Sequence, residues 1–180
     1  VYKRQIVDSM ATDAQGRLYM RMRMQEDGSY VRIYSAEGEL IGTVADDDSY
    51  AVQGAGALGQ GKDGKVYAAA QAVGNTTAGD MAMTLVSVDP ESLRFVPVAG
   101  GENVICSADT IYPWKMVAAG VSETADFILW GYNGVDTYRL GETEFTRVQE
   151  NWEMPCGTEG TCAVLVPDGR ILYIGRSDGF

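Results

Sequence analysis

Arg21, Arg23 and Arg32 alternate with Tyr19, Tyr30 and Tyr34 near the start of this 180-residue chain. Guanidinium forks grip anions and aromatic faces stack on sugar rings and cations, so this set forms a candidate anion or carbohydrate platform. Trp114, following Tyr112-Pro113, and Trp152, within ENWEMP, stand beside loops where an indole can stack on a ligand. Trp130, inside FILWGY, sits in an apolar run that points to the core instead. Arg21, Arg23, Arg32, Tyr30, Trp114 and Trp152 are therefore the ligand-binding residues the sequence nominates. The plainer reading of the same residues is a solvated arginine face paired with carboxylates, plus aromatics that serve packing.

Catalytic chemistry is narrowly bounded. The chain has no histidine, which removes Ser-His-Asp and Cys-His hydrolases and most zinc enzymes. No G-x-S-x-G or S-x-x-K marks a nucleophile. A carboxylate pair drawn from 25 Asp and Glu is the one catalytic device left, and no spacing singles out such a pair. The expectation is a protein that is not an enzyme.

Cofactor and metal motifs fare no better. GAGALG, at Gly54–Gly59, satisfies G-x-G-x-x-G, but the following QGKDGKVY is a turn and a strand, not the helix whose N-terminus would hold a pyrophosphate. Asp46, Asp47 and Asp48 lack the alternating ligand spacing and glycine of a calcium loop and read as a solvated loop. Cys156 and Cys162, five residues apart, are either a small disulfide loop of an oxidising compartment or two packed thiols, and Cys106 lies in the apolar stretch VICSA. No cofactor and no metal is expected.

Charge limits the partners. Fourteen Lys and Arg against 25 Asp and Glu leave −11, which repels phosphate backbones and argues against nucleic acid. Residues 1–35 carry six basic and four acidic side chains, net +2, and the remainder eight and 21, net −13. No apolar run approaches the ~20 residues of a membrane span. The chain opens VYKRQIVDSM, without initiator Met or charged-then-apolar leader, and stops soon after the apolar ILYI. It reads as a mature product, a trimmed chain or a piece of something longer.

The elements that position these residues repeat with period two. In Arg17–Met24, Leu18, Met20, Met22 and Met24 share one face, and Arg17, Tyr19, Arg21 and Arg23 the other. Ser29–Ser35 sets Val31 and Ile33 against Tyr30, Arg32 and Tyr34. With QEDG as a hairpin loop and a turn at Ala36–Gly38 before ELIGTV, the first 44 residues form a four-stranded antiparallel meander whose polar face gathers Arg21, Arg23 and Arg32 with the three tyrosines.

The unit then recurs. ATDAQGRLY, LGQGKDGKVY and VLVPDGRILY share a strand, an Asp/Gly turn, a basic residue and an apolar run with Tyr. Their turn glycines, Gly16, Gly64 and Gly169, are 48 and 105 residues apart, so a degenerate copy belongs between the last two. WKMVAAGVSETADFILW, at Trp114–Trp130, has that shape, followed by VDTYRL and EFTRV. Met81–Val88 is rich enough in β-branched residues to be a strand. Four-strand repeats of 40–50 residues mark β-propeller blades, and a sandwich predicts no such recurring turn. The fold class is all-β, with blades near 6–45, 51–98 and 112–149 and a partial one at 160–180 in a single segment spanning 1–180. About fourteen strands make roughly three and a half blades, an incomplete ring.

These repeats resemble those of bacterial extracytoplasmic β-propellers, of NHL-like and sensor-associated type and of the type preceding solute-binding domains in surface lipoproteins. The shared hairpin is carried by Asp13, Gly16, Leu18 and Tyr19, by Asp63, Gly64, Val66 and Tyr67, and by Asp168, Gly169, Ile171 and Tyr173. The resemblance implies an exported recognition or interaction module at the cell surface or in the periplasm. It implies partners in the missing blades, from a longer chain or a second copy, and a protein or carbohydrate ligand at the loops. The alternatives are a sugar- or solute-binding propeller of a sensor or uptake lipoprotein, and a propeller hydrolase or lyase with acidic catalytic residues.

Overall fold

The computed structural model describes residues 5–24, 29–45, 50–51, 58–72, 83–98, 115–118, 127–130, 135–140, 145–152, 162–165 and 171–174. All regular structure among them is β, and no helix there is long and apolar enough to cross a membrane. Alternation of large apolar and polar residues between glycine turns drives this outcome, because such runs bury one row of side chains only when extended.

The first sheet comprises β1 (Gln5–Thr12), β2 (Leu18–Met24), β3 (Ser29–Tyr34) and β4 (Leu40–Ala45), antiparallel in chain order. The second contains β5 (Tyr50–Ala51), β6 (Leu58–Gln60), β7 (Val66–Ala72), β8 (Met83–Asp89) and β9 (Arg94–Pro97). β5 and β6 pair with successive stretches of β7, so one edge of this sheet is made by two short strands. The third sheet repeats the meander with β10 (Lys115–Ala118), β11 (Phe127–Trp130), β12 (Val135–Leu140) and β13 (Phe145–Trp152). A hairpin of β14 (Cys162–Leu165) and β15 (Ile171–Ile174) follows. The described strands number fifteen, not fourteen, because the strand expected at the start of the second repeat is divided between β5 and β6.

Gly59, the last glycine of the G-x-G-x-x-G stretch, pairs with Tyr67 across β6–β7, and a turn and strand follow it. The segment is sheet edge, without the strand-to-helix turn that a dinucleotide site needs. The Met81–Val88 stretch contains β8, which pairs with both β7 and β9.

The first two sheets stack through one buried cluster. Tyr19, Val31, Ile33 and Val44 from the first meet Val66, Ala68, Ala70, Val86, Val88 and Phe95 from the second. Each fully buried Val or Ile contributes roughly 1.5–3 kcal/mol, so this layer is a main source of stability. Small residues oppose large ones: the Ala68 and Ala70 stripe of β7 leaves depth for the bulk of Tyr19. The first strands of the sheets also adjoin in succession, with β6 beside β1, β10 beside β6 and β14 beside β10.

The register corrects one expectation. Arg21 pairs with Val31 and Tyr19 with Ile33, so these four lie on one face, and that face is the inter-sheet core. Tyr30 and Arg32 pair with Met22 and Met20 and lie on the opposite face. A common polar face holding Arg21, Arg32 and all three tyrosines does not exist. Pairing parity, set by the hairpin, overrides a reading of each strand by itself.

Candidate functional site

The repeated turns carry the densest polar structure. In the first, Asp13 N donates to Arg17 O at 3.1 Å and Gly16 N to Asp13 O at 3.0 Å. In the second, Gly61 N donates to Lys65 O at 2.8 Å and Gly64 N to Gly61 O at 2.9 Å. Asp13 and Gly61 thus occupy the same position, as do Gly16 and Gly64. Gly16 and Gly64 have φ of 77° and 79°, the left-handed region open to glycine at little cost.

The two turns serve their tyrosines differently. Buried Asp13 accepts four hydrogen bonds: Gln15 N and Arg17 N reach Oδ1 at 2.9 Å each, Arg17 Nε reaches Oδ2, and the Tyr19 hydroxyl reaches Oδ2 at 3.0 Å. In the second turn the aligned position is Gly61, and a Cβ there would lie 2.6 Å from the Tyr67 ring. The carboxylate comes instead from Asp63, two positions further on, whose Oδ2 accepts the Tyr67 hydroxyl at 2.7 Å. A tyrosine three residues past the turn glycine is satisfied in both cases.

Electrostatics mark these as locks, not reactive groups. Burial acts to raise the Asp13 pKa, but the Arg17 side-chain and backbone hydrogen bonds, the Tyr19 hydroxyl and the Arg17 charge outweigh it and hold the carboxyl low. Burial, then the hydrogen bond to Asp13, pushes the Tyr19 hydroxyl well above the ordinary tyrosine range, and Tyr67 is raised likewise by burial and Asp63. An ionised acid with its oxygens occupied and a strongly protonated phenol are poor proton carriers near neutrality.

The turns also join the sheets. Ala14 N donates to Gly64 O at 2.9 Å, Leu58 N to Ser9 Oγ at 3.0 Å, and Arg17 Nη1 reaches Glu91 Oε1 at 3.5 Å. Leu93, at φ 53°, lies over Gly42, where an added Cβ would be 2.5 Å from its Cδ1.

The nominated ligand residues do not converge. Arg21 is 1% exposed, and its Nη2 donates to Ser29 Oγ at 3.4 Å inside the inter-sheet layer. Arg23 is paired opposite Ser29 at the far end of β2. Arg32 and Tyr30 do come together: the guanidinium sits 5.3 Å from the Tyr30 ring centroid, on the half-buried outer face of the first sheet. Trp152 ends β13 opposite Val135, remote in topology from β3. Trp114, Cys106, Cys156, Asp46–Asp48, Asp168 and Gly169 lie outside the described residues. Among the described residues no three Asp, Glu or Cys side chains group to hold a metal ion.

Two features escaped the sequence reading. The Asp–Tyr bonds were legible only as a turn signal, although Asp and Tyr recur at each glycine. The exposed Met10 and Leu40 of the outer sheet face had no marker beyond apolarity. No protein-family model, curated protein or solved structure matches the chain.

Proposed function

We propose that the chain is a non-catalytic recognition or interaction module of β-propeller type from an exported bacterial protein, with its stacked sheets as successive blades. The observation that carries this reading is the succession of first strands β1, β6, β10 and β14, each beside the next, with a four-stranded antiparallel meander running outward from β1 and from β10. Blades around an axis require that order, whereas a two-layer sandwich interleaves strands from both ends of its sheets. The interlocked turns at Ala14 and Gly64 add a repeated inter-blade contact. Loops at the mouth of such a ring are where partners meet a rigid scaffold.

A second reading, a propeller that itself binds a sugar or small anion, is favoured by the Arg32–Tyr30 pair, a cation set over an aromatic face. Thermal unfolding against mono- and oligosaccharides and small organic anions separates the two. An interaction module gives no saturable shift. A saturable shift lost in Arg32→Ala or Trp152→Ala establishes the binding propeller in its place. Turnover of a glycan, lost on replacing one carboxylate, overturns both readings in favour of a hydrolase or lyase.

A further inference from the structure

We propose that the outer face of the β1–β4 sheet is a head-to-tail interface and that its occupant is a second copy of this chain. The proposal rests on the blade reading above and names the surface and partner that complete it.

The two hairpins align about Tyr19 and Tyr67, which occupy the same place after Gly16 and Gly64. On that alignment Met10, Leu18, Met20, Arg32 and Leu40 of the first sheet correspond to Leu58, Val66, Ala68, Val86 and Phe95 of the second. The pairings agree, since Met10 and Arg32 flank Met20 as Leu58 and Val86 flank Ala68. In the second sheet these positions are the inter-sheet core, 0–4% exposed beneath the Tyr19 face of the first. In the first sheet Met10 is 60% and Leu40 56% exposed. One structural position is therefore a finished interface in one repeat and an open apolar face in the preceding one.

The finished interface specifies what would cover the open one. It must be a sheet offering a Tyr face and an interlocking turn, with a basic residue after the turn glycine. Arg17 plays that part toward Glu91. Glu37, exposed, holds the same turn position in the first sheet: its N–H donates to Ser35 Oγ as that of Glu91 donates to Asp89. The last repeat, PDGRILY, supplies the matching sequence, with Arg170 following Gly169 as Arg17 follows Gly16. The β14–β15 hairpin adjoins β10, and among the described residues it makes no substantial packing with β1–β4 of its own chain. A chain with one uncovered face at β1–β4 and a complementary repeat at β14–β15 associates head to tail, and a closing rotation makes a ring. Two copies of four repeats give eight, within the usual range of about 4–8 blades.

Light scattering on the 180-residue chain across concentration tests this. The expected particle is twice 19.4 kDa. Because each copy carries −11, association strengthens as salt screens the repulsion. Met10→Lys with Leu40→Lys places two charges on the face and weakens association by at least ~100-fold. It does so although two added cations reduce the repulsion between copies, and circular dichroism stays that of the native chain. A native particle of 19.4 kDa at every concentration, a mass growing without limit, or a double variant that still pairs overturns the proposal. Amide exchange on the same samples separates this interface from the blade reading. A monomer with protected β2 and β7 amides sinks the head-to-tail pair alone; one in which both exchange rapidly sinks the stacked sheets too.

Discussion

The Tyr19 hydroxyl donates to Asp13 Oδ2 at 3.0 Å from within the layer between two sheets, tying a surface turn to the core. Tyr67 makes the same bond to Asp63, at 2.7 Å, from a carboxylate two turn positions later. What the repeats preserve is a buried phenol with an acceptor, since a buried hydroxyl left unpaired costs about 1–3 kcal/mol.

Removing the first acceptor is expected to cost more than removing the second. Asp13→Ala deprives Tyr19, Arg17 and two turn amides of a partner at a 5%-exposed site. A loss of about 3 kcal/mol is expected, against about 1–2 kcal/mol for Asp63→Ala at an exposed carboxylate. Tyr19→Phe costs about 1 kcal/mol, and Asp13→Ala on the Tyr19→Phe background costs less than by itself, because the orphaned hydroxyl is gone. Urea midpoints of the four proteins give the coupling directly; additive losses would contradict the pairing.

Two glycines report sheet stacking. Gly64→Ala meets both a φ of 79° and the Ala14 Cβ at 2.5 Å, for a combined cost of about 3 kcal/mol. Ala14→Gly relieves only the steric share. Gly42 has no left-handed strain, so the cost of Gly42→Ala is the clash with Leu93, roughly 1–3 kcal/mol, and Leu93→Ala relieves most of it. Non-additive urea midpoints in both double variants are the expected outcome. Independent effects would mean that the sheets do not meet at these residues.

The arginines nominated as one platform separate by stability. Arg21, 1% exposed, is part of the inter-sheet layer, so Arg21→Ala is expected to cost about 3–5 kcal/mol by breaking a buried polar contact. Arg32→Ala removes a half-exposed cation–π contact worth about 0.5–1 kcal/mol. Arg17 to Glu91 is a surface pair with Glu91 87% exposed, and Glu91→Gln is expected within about 0.5 kcal/mol of the native chain. Thermal melts rank the three; equal effects for Arg21 and Arg32 would restore the shared face.

That ranking also shows where the sequence was legible. The period of two in β2 and β3 located the strands, and the Asp/Gly turns located the hairpins. Which side faced inward was not readable strand by strand, because Leu18, Met20 and Met22 are more apolar than Tyr19 and Arg21. The decision is made across the hairpin, where Arg21 falls opposite Val31, and across the sheets, where Tyr19 meets the Ala68 stripe. Sheets covered on both sides lose the simple apolar-in, polar-out rule. The Arg32–Tyr30 contact was legible because residues two apart on one strand share a face. The split edge strand was not, because the glycine-rich stretch before Leu58 carries no alternation to read.

Stability should fall at both ends of the pH scale for reasons located in the same turns. The Asp13 carboxyl is held below its ordinary value of 3.8 in the folded chain. The native state therefore binds this proton less readily than the unfolded one. The contribution is complete above the unfolded value and is lost as pH falls through the lowered one. Tyr19 and Tyr67 act in the opposite sense. Their folded values are raised above the ordinary 10.0, so their contribution is intact below that pH. Above it the unfolded chain ionises first, and stability drains away as pH rises. Urea midpoints in Asp13→Asn should show a flatter acid limb than in the native chain. In Tyr19→Phe with Tyr67→Phe the alkaline limb should flatten, and the near-ultraviolet rise of tyrosinate in the native chain should coincide with unfolding. A native chain whose Tyr19 and Tyr67 ionise near pH 10.0 while still folded would show that neither hydroxyl is buried against its carboxylate.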